Sequence, residues 1–369
     1  MKSLFVLFGC FFACMVNAQD PSLSSDGPYV VYNNNEIMAI SVDSGIAHSR
    51  IIDPKDRIID VKFPSNPEWN FSVPLRKKLR NEVAIYGQAK KILFLSDIEG
   101  EFKAFRNLLI NNKVIDTGYH WIFGNGQLVI CGDLFDRGKE VVQELWLLYK
   151  LEDEAEAAGG YVHTILGNHD IMNLSGDTRY VQPFYFADAS LMGKNYMDMY
   201  GKNTELGRWL RTKNIIEKIG DNLCMHAGMS PVITTAAIPV DRINEVCRPY
   251  YDMAQNDSTL DSVGIYPFFS GEGLFWYRGY FLPPRAPMST VDSCLFIYNC
   301  RKIVVGHTIL AINPAMYYQG KVIGIDVNEH EGKHAGVLYE NKTWWIVDGE
   351  GNRKPLVYDA SNDVINNAD

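Results

Sequence analysis

Five apolar runs in this chain each break off within a few residues into a side chain that can ligate a cation or carry a proton. Residues 90–96 (KKILFLS) precede Asp97 and Glu99, residues 127–131 (QLVIC) precede Asp133, Asp136 and Arg137, and residues 161–166 (YVHTIL) precede Asn168, His169 and Asp170. Residues 222–225 (NLCM) lead to His226, and residues 302–305 (KIVV) lead to His307. Short apolar runs bounded in this way read as fully buried strands. A glycine such as Gly132 then lets the backbone turn sharply and aim the next carboxylate outward. Behind the first two runs, Phe102, Phe105, Leu108 and Leu109, and then Val141, Val142, Leu145, Leu148 and Tyr149, repeat at helical spacing. Successive strand, loop and helix units predict an α/β protein, a parallel-rich sheet covered by helices. Ligands of such sheets bind at the carboxyl ends of the strands, where these polar residues fall.

The rest of the chain is read around that frame. Residues 1–18 combine Lys2, an apolar run from Leu4 to Val16 and small residues at Val16 and Ala18, which predicts a secretory signal peptide cleaved after Ala18. The run is shorter than the ~20 residues of a membrane span. A lipoprotein box at Leu7 to Cys10 is disfavoured by the brief apolar stretch before it. Without the leader the chain carries 34 basic against 44 acidic residues, which argues against a nucleic-acid partner. An exported protein is expected to be periplasmic or secreted. Sequons begin at Asn70, Asn173, Asn256 and Asn341, and Asn173 lies too near His169 to suit a glycan, which favours the periplasm. Cys131 and Cys224 read as buried thiols, whereas Cys247, Cys294 and Cys300 admit one disulfide of open pairing.

Residues 19–89 are expected to form a small β-rich extension beginning with a hairpin at residues 28–40, and residues 90–349 the main domain. The irregular stretches 171–219 and 230–301 are expected as rim or cap insertions, and residues 350–369 as a tail. The acidic stretch from Glu152 to Glu156 reads as a solvated helix face, and His48, His120, His163, His330 and His334 read as structural.

Singly, each strand-end residue has an ordinary explanation, since an Asp after Gly usually makes a turn and a strand-end His is often just hydrogen-bonded. Together they are oxygen and imidazole donors without thiolates, a set suited to two divalent ions such as Mn, Fe or Zn. Two such ions can generate hydroxide near neutral pH and clamp a phosphoryl group. An arginine such as Arg137 offers phosphate a two-pronged fork.

The ordered motifs SDIEG, GDLFDRG, LGNHD, MHAG and VVGHT resemble those of the calcineurin-like metallophosphoesterases, in the phosphoprotein-phosphatase branch. Within it, LGNHDIMNLSGDTRYV, WYRG and VVGHTILAIN are similar to the Shewanella-like phosphatases, and DGPYVVY to their exported members. The resemblance implies a four-layer αββα sandwich and metal-dependent hydrolysis of phosphate monoesters. It implies that Asp97 and Glu99 hold a first ion, that Asp133 bridges, and that Asn168, His226 and His307 hold a second. His169 is then the general acid, oriented by Asp170 or a nearby carboxylate, and Arg137 and Arg278 bind phosphate, with Asp136 behind a histidine or arginine. Glu99 stands where most relatives have histidine, and its harder oxygen donor favours manganese over zinc. The expected substrate is a phosphoprotein, phosphorylated on Tyr or Ser/Thr, or a small phosphoester. The alternatives are a nucleotide or dinucleoside-polyphosphate hydrolase and a non-catalytic metal-holding protein. Phe184, Tyr185, Phe186, Trp276 and Tyr277 are candidates to line an aryl pocket, with burial in the core the commoner fate of such residues.

Overall fold

The computed structural model describes residues 24–33, 36–309, 313–328, 330, 332 and 334–363. The expected leader, the hairpin tip at Asn34 and Asn35, and the end of the tail lie outside them. β1 (Asp26–Asn33) and β2 (Glu36–Asp43) form the expected antiparallel hairpin, extended by β3 (Ile46–Ile51) into a small sheet. β4 (Ile58–Val61) pairs with β5 (Phe71–Pro74), and β6 (Ile85–Tyr86) leaves the extension to become an edge of a larger sheet.

The main domain then alternates as its periodicity predicts. β7 (Lys91–Leu95), α1 (Phe102–Asn111), β8 (Gln127–Cys131), α2 (Val141–Ala157), β9 (Tyr161–Ile165) and α3 (Asn168–Ser175) follow in turn, with the three strands mutually parallel. The insertion carries α4 (Pro183–Leu191) and α5 (Glu205–Leu210), and β10 (Ile216–Ile219) and β11 (Asn222–Met225) return as an antiparallel pair. Short helices α6 (Pro231–Ala236), α7 (Val240–Cys247), α8 (Ser258–Ser262), α9 (Tyr266–Phe269) and α10 (Met288–Ile297) precede β12 (Lys302–Val305), β13 (Ala315–Tyr317) and β14 (Val322–Gly324). The chain closes with β15 (Ala335–Glu340), β16 (Thr343–Asp348) and β17 (Arg353–Pro355).

Two six-stranded sheets result, in the orders β13-β14-β12-β11-β10-β6 and β17-β16-β15-β7-β8-β9. Alternation along β7 shows how they stack, because side chains of a strand point to opposite faces. Ile92 and Phe94 join Val129, Cys131, Ile219, Cys224, Val304 and Ile323 in a core between the sheets. Leu93 and Leu95 belong instead to the larger core containing Phe102, Phe105 and Leu145 of the covering helices. On the second sheet, Asn244 of α7 accepts from Ile215 N–H and donates to the Ile216 carbonyl, fastening that helix to β10. Helix, sheet, sheet and helix thus form the four layers expected.

All five described cysteines are free, so the disulfide expected among Cys247, Cys294 and Cys300 is absent. Cys247 and Cys294 are buried among apolar side chains, Cys294 with its sulfur 3.9 Å from Met229 Sδ.

The extension is welded to the main domain. Phe63 and Phe71 lie against Phe102 of α1 with ring centroids 4.5 and 6.4 Å away, and Trp146 of α2 donates to the Pro28 carbonyl. Glu152 is not on a solvated face. It is buried, accepting from Arg76 at 2.7 Å, Trp209 at 2.9 Å and Lys213 at 2.5 Å, and Lys213 also pairs with Glu82 of the extension. The helical pattern hides this because the partners come from segments more than fifty residues away. Lys213→Met keeps the packed stem but leaves two buried carboxylates short of a cation. We expect it to lower unfolding free energy by about 3–5 kcal/mol, read as an earlier urea midpoint at unchanged slope.

Candidate metal centre

The strand ends of both sheets meet through backbone hydrogen bonds as well as side chains. Asp97 N–H donates to the Gly132 carbonyl at 2.9 Å, Glu99 N–H to the Asp133 carbonyl at 3.1 Å, and Gly306 N–H to the His226 carbonyl at 2.8 Å. Across the sheets, His226 Nδ1 donates to the Cys131 carbonyl at 2.8 Å and His307 N–H to Asp97 Oδ2 at 3.0 Å. The turns that do this are sharp. Asp97, Glu99, Asp133, Asp136, Arg137 and His307 all have φ between 48° and 79°, a left-handed region that costs a side-chain-bearing residue on the order of 1 kcal/mol. Gly132, at φ 86°, has no room for a Cβ, which would stand 2.6 Å from His226 Nδ1 and 2.7 Å from Gly167. Such strain concentrates where side-chain direction matters more than local comfort.

Around these turns is a cavity of about 250 Å³ whose wall includes Asp97, Glu99, Asp133, Asn168 and His307. His226 is buried beside it, with Nε2 2.8 Å from Asn168 Oδ1, 3.1 Å from His307 Nδ1 and 3.2 Å from Asp133 Oδ2. Among the described residues, Asp133, His226 and His307 form one trio with donor atoms within 4.8 Å of one another, and Glu99, Asp133 and His169 form another. Asp133 belongs to both. Asp97 lies outside the trios but in the same wall.

Charge is crowded here. Burial, with Asp133 and Glu99 nearby, lifts Asp97 to about 7, while the histidines hold Asp133 low despite its own burial. Burial would depress His226, yet Asp133 and Asp97 raise it to about 10. Burial and the neighbouring His226 charge keep His307 well below its usual value, as a neutral imidazole. The two carboxylates therefore favour positive charge where Asp133, Asn168, His226 and His307 converge, and a divalent cation would answer the same crowding. The donors are hard to borderline and the His226 ring is held by a backbone carbonyl, as ligand histidines usually are. The residues therefore fit a pair of divalent ions.

His169 opens the third strand-end helix. Its Nδ1 donates to Asp136 Oδ2 at 2.6 Å, leaving Nε2 toward the cavity, 3.4 Å from an Arg137 nitrogen. Burial opposes its charge, but Asp133, Asp136 and Glu99 raise the imidazolium to about 9. The orienting carboxylate is Asp136. Asp170, expected as a catalytic partner, instead accepts from the backbone N–H groups of Gly167 at 2.7 Å, Leu134 at 2.9 Å and Asp133 at 3.2 Å. Its side chain reaches back over the start of its own helix, so it fixes loops rather than the ring. Arg137, half exposed, is paired with Glu99, and Arg278 donates to the His307 carbonyl at 2.6 Å, both in the cavity wall.

Two residues of the wall escaped the sequence reading. Asp326, just past β14, is buried in the cavity, and desolvation with Asp97, Glu99 and Asp133 nearby raises it well above the usual carboxylate range. His330, read as structural, sits with Nε2 2.5 Å from Glu99 Oε2 and Nδ1 2.9 Å from Glu101 Oε1. Its imidazole thus stands beside the Glu99 carboxylate in the cavity wall. The fall of a strand into IDVN was the available signal for Asp326; nothing local marked His330. Of the candidate aromatics, Trp276 touches His307 edge-on, whereas Tyr185 and Tyr277 are core and Phe186 packs on Tyr196. Tyr180, half exposed, also lies beside the site, its ring 5.1 Å from that of His169. Asn173, a sequon residue, is fully buried.

Residues 90–310 match the family described as calcineurin-like phosphoesterase. The crystal structure of the cold-active protein-tyrosine phosphatase of a psychrophile, Shewanella sp., is similar at 33% identity and a TM-score of 0.82, over 90% of this chain and 100% of that one. The Shewanella-like protein phosphatase 1 of Plasmodium berghei is 28% identical over 236 residues, 59% of this chain and 61% of that protein. An uncharacterized protein of Schizosaccharomyces pombe is 28% identical over 299 residues, 76% of this chain and 84% of that one.

Proposed function

This chain belongs to the calcineurin-like phosphoesterases, metal-dependent enzymes related here to the Shewanella-like protein phosphatases, and from that premise we propose that it is a phosphoprotein phosphatase that prefers phosphotyrosine. The observation that carries the reading is that Asp133 is common to two clusters of donors with Arg137 and Arg278 facing the same cavity. In this reading Asp97, Glu99 and Asp133 would hold one ion, and Asp133, Asn168, His226 and His307 would hold the other. When bound, the ions supply Lewis acidity that lowers the pKa of water and offsets phosphoryl charge. Arg137 and Arg278 orient the phosphate through paired N–H groups, His169 delivers a proton from Nε2 to the leaving oxygen, and Asp170 holds the loops that aim them. Tyr180, with Leu282 and Ile309 in or near the mouth, supports an aryl group over an alkyl one. The carboxylate at Glu99 supports manganese over zinc. Export to the periplasm or beyond belongs to the same reading, supported by the apolar run from Leu4 to Val16 and the small residues at Val16 and Ala18.

Phosphotyrosyl and phosphoseryl peptides, a dinucleoside polyphosphate and a phosphodiester, compared under one concentration of Mn²⁺, test this. The expected order places the phosphotyrosyl peptide first, with activity abolished by chelator, restored by Mn²⁺ and less so by Zn²⁺. Faster cleavage of the dinucleoside polyphosphate would replace the proposal with nucleotide hydrolysis. A silent protein with bound metal would make it a binding protein.

A further inference from the structure

The hydrogen bonds behind His169 do not end at Asp136. The other Asp136 oxygen accepts from Asn173 Nδ2 at 2.8 Å, and the same amide nitrogen donates to the His169 carbonyl at 2.9 Å, one helical turn back. Both of its acceptors lack protons to give, so the NH₂ must face them and the amide oxygen must face away. That oxygen accepts from the Tyr196 hydroxyl at 2.7 Å. Asp136, Asn173 and Tyr196 are 2%, 0% and 5% exposed, so bulk solvent does not reach these hydrogen bonds. Tyr196 comes from the insertion between the third and fourth strand-end motifs and is clamped by Phe186 and Tyr200, with ring centroids 5.2 and 5.7 Å away.

We propose that Tyr196 and Asn173 are positioning residues for the general acid: the phenol fixes the amide, the amide fixes the Asp136 carboxylate, and the carboxylate fixes the tautomer and ring plane of His169. The proposal rests on the phosphatase reading only in naming the proton's destination, the leaving oxygen. Without the Tyr196 hydroxyl the buried Asn173 Oδ1 loses its donor, the amide holds Asp136 less firmly, and the His169 ring gains freedom about the axis that aims Nε2. Leaving groups that need a proton suffer most.

Tyr196→Phe removes only the hydroxyl and keeps the ring packing. We expect kcat/KM for phenyl phosphate to fall about 10-fold and that for 4-nitrophenyl phosphate, whose leaving group needs little protonation, about 2-fold, with KM steady. Asn173→Asp, which places a second carboxylate against Asp136, is expected to show the same bias more strongly. Equal losses on both substrates, the mark of a merely structural role, would overturn the proposal, as would no loss. The His169 Nδ1 proton, followed by NMR, supplies a readout independent of turnover. It is expected to exchange slowly in the parent protein and faster in Tyr196→Phe, and equal exchange rates, or a fast-exchanging proton in the parent, would also overturn it. A parent protein that cleaves neither aryl phosphate would sink the phosphatase reading, leaving the exchange rates to judge the positioning.

Discussion

Asp133→Asn is expected to lower kcat/KM on an aryl phosphate by ~10³-fold or more, about 4 kcal/mol of transition-state stabilisation, while the protein stays folded. The substitution keeps the shape and the oxygen that accepts from His169 N–H at 2.9 Å, so the start of α3 retains its anchor. What goes is the negative charge shared by the two donor trios. Metal content measured on the same preparation is expected to fall from two equivalents toward one or fewer, since Asp133 is assigned to both proposed ion sites. A variant that kept both ions and near-parental turnover would show that Asp133 is a neighbour of the centre rather than its link.

His169→Ala is expected to cost ~10²- to 10⁴-fold on phenyl phosphate, and markedly less on 4-nitrophenyl phosphate, without changing metal content. The asymmetry follows from the ring's place: Nδ1 is committed to Asp136 and Nε2 faces the cavity. The pH dependence has a definite sign. The imidazolium, raised to about 9 by Asp133, Asp136 and Glu99 against the effect of burial, is the competent form below that value and is lost as pH rises through it. Bound cations offset the Asp133 and Glu99 charges, so in the loaded enzyme the alkaline limb is expected at lower pH. His169→Ala should abolish that limb for phenyl phosphate. Equal losses on both substrates would remove His169 as the proton donor.

Much of this was legible locally. Short apolar runs marked β7, β8, β9, β11 and β12, and helical spacing marked α1 and α2, because those signals depend only on neighbours within a turn or a strand. The metal-ligand candidates were equally plain, each standing directly after its run. Roles were harder. Asp170 and Asp136 are alike as residues near His169, and only the backbone path decides that one caps a helix while the other meets the ring. Glu152 looked solvated because its own helix carries no partner for it; Arg76 and Lys213 arrive from either side.

The sequence by itself determined the alternation of strands and helices, the two-sided burial of the strands, and the kinds of donor placed at their ends. Only the tertiary structure decided that His330 and Asp326 enter the cavity, and that Tyr196 stands behind His169 through Asn173 and Asp136. Periodicity is written in adjacent residues, whereas these contacts depend on left-handed turns and on loops whose lengths and packing bring together side chains up to two hundred and thirty-one positions apart.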